Sequence, residues 1–425
     1  MSRFIIKGRH KISGTVRPSG NKNAVLPMLA ASVLTDEPVT LNRVPKIEDV
    51  QVMLDLLESL GVSVESRGRA VTLCARSIRK RTLDPTLCRR VRSSILLAGP
   101  MSARHGRVTL FPPGGDIIGR RRVDTHFDGL QALGIRVRAG TKYILERRRL
   151  RGAEILLDEA SVTATENILM AAVLAPGRTV IFNAASEPHV ADLGRLLVKM
   201  GARIEGLGTN RITIKGVKRL RGARHSVAPD HIEVGSFMAA AAVTGGRLDV
   251  GPISDIASYP IISRVFGKLG ADWEQKGNRL VYSPRRSLSM KKDLGSAIPT
   301  IDDGPWPSFP SDLMSVALVM ATQARGTALF FEKMFESRLY FVDQLISMGA
   351  RIVQCDPHRV LVAGPSRLHG SHMASPDIRA GMALIIAALC ARGESVIENA
   401  QIIDRGYESV DMRLRSLGAD IERID

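Results

Sequence analysis

Apolar positions along the chain fall into two spacings that alternate. Runs in which nearly every residue is Ala, Met, Leu or Val recur at 24–34, 94–103, 167–175, 234–244, 313–324 and 380–391. Each predicts a helix that is apolar all round and therefore buried. Between them lie short β-branched stretches, which predict strands, and segments with apolar residues at i, i+4 and i+7, which predict half-exposed helices. The last copy shows the whole unit. Residues 377–390 predict the apolar helix, with Gly393 as its C-cap, and 395–399 a strand with Val396 and Ile397 as its apolar positions. Residues 407–417 predict an amphipathic helix with Val410, Leu414 and Leu417 on one face. Gly418 ends it, and 419–424 alternates as a half-buried strand.

The second helices close on Leu60-Gly61-Val62, Leu133-Gly134-Ile135, Met200-Gly201-Ala202, Leu269-Gly270-Ala271, Met348-Gly349-Ala350 and Leu417-Gly418-Ala419. Successive glycines are 73, 67, 69, 79 and 69 residues apart. A period of that length marks one folded unit repeated six times. Three units surrounding a bundle of their apolar helices, with sheets outside, would make one globule, and six would make two. A cleft between two such globules is the expected place for a ligand.

Composition narrows the class. The 425 residues are 44% hydrophobic and 24% charged, which suits a soluble globular chain, but only 4% are aromatic. The core is therefore expected to be aliphatic and rich in small side chains. No N-terminal apolar run suggests a signal peptide, and the longest apolar stretch, 382–391, falls far short of the ~20 residues a membrane span needs. Cys74, Cys88, Cys355 and Cys390 form no Cys-x-x-Cys pair. They read as free thiols of a reducing compartment, with neither a disulfide framework nor a zinc site, so the chain is expected in the cytoplasm. The formal charge of +18 invites a nucleic-acid reading, with basic runs at 79–81, 89–90, 120–122 and 147–151. No recognised nucleic-acid motif accompanies them and aromatic residues for base stacking are scarce, so no nucleic-acid partner is expected. Most of these arginines read as solvated surface, the rest as a means of attracting a small polyanion.

Four places interrupt the repeat with chemically useful residues. Arg17-Pro-Ser-Gly-Asn-Lys-Asn-Ala opens a helix with Lys22 and Asn23 at the positive end of its dipole. That is either an anion site or a polar cap with a solvent-facing lysine. The Pro/Gly insertion from Phe111 to His126 holds Asp116 and Arg121 on one loop, the composition of a lid or of a structural turn. In Trp306-Pro-Ser-Phe-Pro-Ser-Asp-Leu-Met, Asp312 stands at a helix start and N-capping is the plain reading. In Ile403-Asp-Arg-Gly-Tyr-Glu, Arg405 is either a bidentate anion clamp or a surface arginine.

Taken together these segments resemble the enolpyruvyl transferases, and within them the branch that uses UDP-N-acetylglucosamine, from about Phe4 to Ile424. The resemblance rests on Ser19-Gly-Asn-Lys-Asn-Ala, Arg92-Ser-Ser-Ile-Leu-Leu-Ala-Gly-Pro, the Gly-Gly-Asp loop ending Arg121 to His126, Ala160-Ser-Val-Thr-Ala-Thr-Glu-Asn, Glu187-Pro, Phe309-Pro-Ser-Asp, Phe335-Glu-Ser-Arg, Asp377-Ile-Arg and Ile403-Asp-Arg-Gly-Tyr-Glu. It implies an α/β fold of two inside-out α/β barrel-like domains, each of three βαβαββ-type units. One domain would combine 1–21 with 231–425, and the other, 22–230, would carry the mobile loop at 111–126. It implies transfer of the enolpyruvyl group of phosphoenolpyruvate to the 3-hydroxyl of UDP-N-acetylglucosamine with release of phosphate, the first committed step of peptidoglycan precursor synthesis, without metal or organic cofactor.

By the same resemblance Lys22, Arg92, Arg121 and Arg405 bind phosphoenolpyruvate, planar guanidinium forks suiting its two oxyanions. Asp312 is the base for the sugar hydroxyl, and Asp116 is the loop residue that moves a proton. Asn23, Ser161, Val162, Thr163, Glu187, Asp230, Met334, Arg338, Asp377 and Arg379 complete the substrate sites, with the Ser161-Val-Thr turn offering backbone N–H groups to the diphosphate. Five positions depart from the family pattern. Asp116 stands where most members carry the cysteine that fosfomycin alkylates, so resistance to that drug is expected. Arg122 and Thr125 replace apolar residues beside the uracil, Thr163 replaces a glycine, and Met314 a glutamine. A transferase acting on another nucleotide is the alternative, and a basic anion-binding repeat protein the non-enzymatic one.

Overall fold

The computed structural model describes residues 2–116, 118–119, 121–254, 258–284 and 287–425. Arg120 of the third basic run lies outside them. The chain divides into two compact units: Met1–Ser19, Asp116–Arg120 and Pro229–Asp425 form the first, Gly20–Gly115 and Arg121–Ala228 the second.

In the first unit the apolar helices are His231–Thr244, Met314–Gln323 and Ile378–Cys390, which pack on one another pairwise. In the second they are Lys22–Ala31, Ala98–His105 and Val162–Ala172. Every residue from His231 to Ala242 is buried, as the all-round apolar pattern demands. Small side chains let the helices approach closely. A Cβ at Gly99 would lie 2.2 Å from the Asn167 carbonyl oxygen, and its N–H instead donates to Asn167 Oδ1 at 2.8 Å.

The second helix of each repeat is Glu48–Leu60, Asp124–Ala132, Pro188–Lys199, Pro260–Lys268, Val342–Ser347 or Val410–Ser416. All six are followed by the glycine identified from sequence, at φ of 103, 90, 103, 90, 95 and 101° for Gly61, Gly134, Gly201, Gly270, Gly349 and Gly418. Positive φ turns the chain out of the helix, and only glycine adopts it without steric cost. At Val62, Ala202, Ala271, Ala350 and Ala419 the next N–H returns to the helix, satisfying a terminal carbonyl. The last of these helices is shorter than the predicted 407–417. Ser409 sits at φ 46° and breaks it, and Tyr407 turns wholly into the core beneath Arg379, 5.3 Å from ring to guanidinium.

Among the described residues the strands form six sheets, three to a unit. Five have four strands in one pattern: an edge strand parallel to the strand that follows the apolar helix, then two antiparallel strands. The sixth, containing Arg107–Leu110, Tyr143–Arg147 and Ile135–Arg138, has only a parallel bridge from Thr82 to Thr109 in the edge position.

Two edge strands pair outside the repeat whose apolar helix follows them in the chain. Strand Gly14–Val16 precedes helix Lys22–Ala31 of the second unit, yet pairs with Leu248–Val250 of the first. Strand Ala223–Ser226 precedes helix His231–Thr244 of the first unit, yet pairs with Val39–Asn42 of the second. Each strand pairs within its own unit, and the chain passes to the other unit between that strand and the apolar helix it precedes. Strand Arg3–Lys7, between Glu394–Glu398 and Asp420–Ile424, completes the last repeat.

Candidate functional site

In the second unit the helix Lys22–Ala31 is capped by Asn21, whose Oδ1 accepts from the N–H groups of Asn23 and Ala24 at 2.8 and 3.1 Å. Lys22 is neither a solvent-facing lysine nor a bare charge. It is buried, and its Nζ lies 2.7 Å from Asp49 Oδ2 on the neighbouring helix. Arg92 opens the 3₁₀ turn Arg92–Leu97 and donates through Nη2 to the carbonyls of Arg121 and Arg122, both at 2.9 Å. Burial, together with the Arg121 charge, pushes its pKa down to about 10. Two guanidiniums held this close repel unless an anion joins them, the electrostatic condition for a phosphate or carboxylate site. Gly115, at φ 111°, passes beside both: a Cβ there would lie 3.0 Å from Arg92 Cβ and 3.5 Å from Arg121 Nη1.

Ser161 caps helix Val162–Ala172 through its hydroxyl, which leaves Val162 and Thr163 in the first turn, where N–H groups point away from the helix. Glu187 takes the N-cap position of Pro188–Lys199, with Pro188 as the first helical residue.

In the first unit Asp312 departs from the capping expectation. It lies inside the 3₁₀ turn Ser311–Leu313, where Pro310 takes the N-cap position. Its carboxylate is gripped by two arginines: Oδ1 by Arg338 Nη2 at 2.9 Å, and Oδ2 by Arg379 Nε and Nη2 at 3.0 and 2.8 Å. Arg379 is buried. Burial alone lowers its pKa, yet the Asp312 carboxylate, with Tyr407 and Asp230, holds it above the ordinary value. Asp377 caps Ile378–Cys390 by accepting from the N–H groups of Arg379 and Ala380, and its Oδ1 lies 3.7 Å from Arg338 Nη1. Asp230 caps His231–Thr244 in the same way. Met334 is 39% exposed and gives its backbone N–H to Glu332.

Arg405 is not a surface arginine. Its Nη1 lies 2.7 Å from Asp116 Oδ1, with both side chains less than one-fifth exposed. The loop from Phe111 to His126 therefore divides, because 116–120 groups with the first unit. There the Ser337 N–H donates to the Ile118 carbonyl, and Gly119, at φ 128°, leaves no room for a Cβ against Glu336. Ile117 and Arg120 lie outside the described residues.

The EPSP synthase (3-phosphoshikimate 1-carboxyvinyltransferase) family profile matches residues 6–414. The chain belongs to this family. It is 51% identical to the UDP-N-acetylglucosamine 1-carboxyvinyltransferases of Treponema denticola and of Bradyrhizobium diazoefficiens, covering 99% of this chain in each case and 99% and 98% of theirs. Among solved structures, the enolpyruvyl transferase NikO of Streptomyces tendae superposes with a TM-score of 0.88 at 24% identity, over 99% of this chain and 98% of that one. EPSP synthase of Acinetobacter baumannii superposes with a TM-score of 0.76 at 18% identity over the full length of both. These superpositions place the fold with the α/β enolpyruvyl transferases.

The five family departures have internal partners or core positions. Thr125 donates to Asp158 at 2.7 Å, and Arg122 pairs with Asp124 and Asp158 at 3.1 and 2.9 Å. The Thr125 hydrogen bond, aided by Arg122, holds Asp158 below the usual carboxylate range. Thr163 Oγ1 meets His126 Nε2 at 3.0 Å. Met314 is buried in the core, beginning helix Met314–Gln323. The fifth, Asp116, carries the Arg405 pair.

Sequence reasoning missed Asp49, Asn167 and Glu332. Asn167 and the His126 it contacts fall within quoted motifs, where their types signalled polarity but not the hydrogen bond between them. Asp49 lies on an ordinary amphipathic helix, and nothing local to it signals the lysine opposite. Among the described residues no group of three or more His, Cys, Asp or Glu side chains is placed to hold a metal ion, and no helix is long and apolar enough to cross a membrane.

Proposed function

We propose that this chain transfers the enolpyruvyl group of phosphoenolpyruvate to the 3-hydroxyl of UDP-N-acetylglucosamine, with release of inorganic phosphate, and so commits the sugar to peptidoglycan precursors in the cytoplasm. The observation that carries this reading is full-length identity of about half to transferases that bear that name. The geometry supports it. Asp312, with one oxygen on each of two arginines, is fixed in orientation and partly exposed, at 27% of its side chain. Such a carboxylate can take the proton from the 3-hydroxyl as its oxygen attacks C2 of the enol. C3 gains a proton and becomes a methyl in the tetrahedral adduct. Loss of a C3 proton then restores the double bond as the C2–O bond to phosphate breaks. Asp116, paired with Arg405, supplies a second titratable carboxyl for this proton traffic. Lys22, Arg92, Arg121 and Arg405 offset the charge of the phosphate and carboxylate, in the manner of preorganised electrostatic stabilisation.

The test is phosphate release from phosphoenolpyruvate with UDP-N-acetylglucosamine, UMP, shikimate 3-phosphate or no acceptor. Release confined to UDP-N-acetylglucosamine, and abolished by Asp312→Ala, is expected. Release with a different acceptor would retain the chemistry and refute the acceptor.

A further inference from the structure

Behind Asp312 lies a buried carboxyl pair that the reaction as written does not use. Glu332 is fully buried at the end of strand Gly326–Phe331. Its Oε1 accepts the N–H groups of Met334 and Phe335, both at 3.1 Å, and both of its oxygens lie 3.0 Å from Ser311 Oγ. Ser311 Oγ in turn accepts from Arg338 Nε at 3.3 Å, and Arg338 Nη2 holds Asp312. On the other side, Asp303 Oδ1 accepts the Lys333 N–H at 2.6 Å. Among the described residues Asp303 Oδ2 is buried with no N–H or hydroxyl donor, although the Asp303 carboxyl is within hydrogen-bonding reach of Glu332. A carboxylate oxygen so placed is satisfied if the neighbouring carboxyl carries a proton and donates it. Burial first, then Asp303, raises the Glu332 pKa far above the carboxylate range, and Arg338 and Ser311 offset this only in part.

The other groups around the pair are accounted for. Lys333 pairs with Asp302, His358 Nδ1 meets the Glu332 carbonyl at 2.7 Å, and Asp356 holds the His358 N–H and Arg359. Asp377 faces Arg338 from the far side.

We infer that Glu332 is a positioning residue for the transfer reaction: held uncharged by sharing a proton with Asp303, it fixes Ser311 and through it Arg338, and so sets the orientation of the Asp312 carboxylate. Ionisation of Glu332 at alkaline pH adds a charge that competes with Asp312 for Arg338. The inference rests on the reading above that Asp312 takes the substrate proton. It adds a group beyond contact with either substrate, and with it an alkaline limit to activity.

Glu332→Gln tests this, because the amide keeps the shape, donates to Asp303 and never ionises. At pH 7 the variant is expected to stay within about threefold of wild type in kcat/KM. The fall in wild-type kcat above pH 8 should be absent from it or displaced by more than one pH unit. Glu332→Ala should lower kcat at least tenfold with little change in KM for phosphoenolpyruvate. A second readout needs no turnover. A carboxyl whose folded pKa lies above its unfolded one stabilises at low pH, and that contribution is lost as pH rises toward the folded value. The melting temperature of Glu332→Gln should therefore climb relative to wild type from pH 5 to pH 9.

A constant gap in melting temperature, an unchanged alkaline limb in Glu332→Gln, or loss of its activity at pH 7 to the level of Asp312→Ala would each overturn the inference. If wild type shows no turnover while the gap widens, the reaction reading fails and the positioning role fails with it, but the shared proton stands.

Discussion

Acidification should strike one hydrogen-bonded hub in the second unit before it reaches the rest of the core. His126 is wholly buried at the start of helix Asp124–Ala132. The Gly99 N–H fixes Asn167 Oδ1 as an acceptor, so it is Asn167 Nδ2 that faces His126 Nδ1, at 2.9 Å, and also donates to the Ile95 carbonyl. Nδ1 must then be unprotonated, and the ring proton lies on Nε2, donated to Thr163 Oγ1. Protonating Nδ1 would set two donors against each other in a dry site that also feels the Arg92 charge. Burial, and after it Arg92, accordingly push the His126 pKa down to about 3 from an ordinary value of 6.5. A histidine with a depressed folded pKa contributes stability above its unfolded pKa and loses it as pH falls toward the folded one. At pH 4.5, about two units into that window, the loss is about 3 kcal/mol at roughly 1.4 kcal/mol per unit. The assay is urea unfolding of wild type and His126→Gln at pH 7.5 and pH 4.5. Glutamine can both accept from Asn167 and donate to Thr163 but does not titrate. Wild type should lose about 3 kcal/mol more than the variant on acidification. His105, whose pKa burial and Arg104 lower to about 4, responds equally in both proteins and cancels. Equal acid sensitivity of the two would refute the neutral, wedged imidazole.

Asp312→Asn keeps the shape but removes the base, and kcat for phosphate release should fall by roughly 10² to 10⁴; retention of kcat would exclude Asp312 as the proton acceptor. The wild-type Asp116 carboxylate should leave the enzyme resistant to fosfomycin, whereas Asp116→Cys should show time-dependent inactivation with a covalent adduct on the new thiol, read by mass spectrometry. A wild-type adduct on Asp116 would contradict this. Gly201→Ala adds a Cβ that meets nothing within 4 Å, so at φ 103° it should cost about 1–2 kcal/mol from backbone strain alone, measured by chemical denaturation. Gly134→Ala, whose Cβ would lie 2.0 Å from the Arg149 carbonyl oxygen, should cost more; equal costs would show that φ, not contact, governs these turns.

Much of this architecture was legible in the chain because it is local. The glycines at the ends of the second helices announce themselves by type, since each turn requires a positive φ. The apolar helices show in their lack of a polar face, and each begins within a few residues of its predicted start. Family motifs likewise brought Lys22, Arg92, Asp312 and Arg405 forward as a set, although the local pattern left the role of each open. What failed locally was assigning Asp312 as an N-cap: a carboxylate at a helix start looks the same whether it faces its own backbone or two arginines 26 and 67 residues away.

By itself, then, the sequence determined the repeat, its turns and the faces its helices bury, since these follow from side-chain spacing over a few residues. Only the tertiary structure decided the partners of the edge strands, the burial of Lys22 against Asp49, the two-arginine grip on Asp312 and the buried carboxyl pair behind it. Strand pairing and ion pairing depend on which distant segments packing brings within 3 Å in a region shielded from water. No local period in the chain records that.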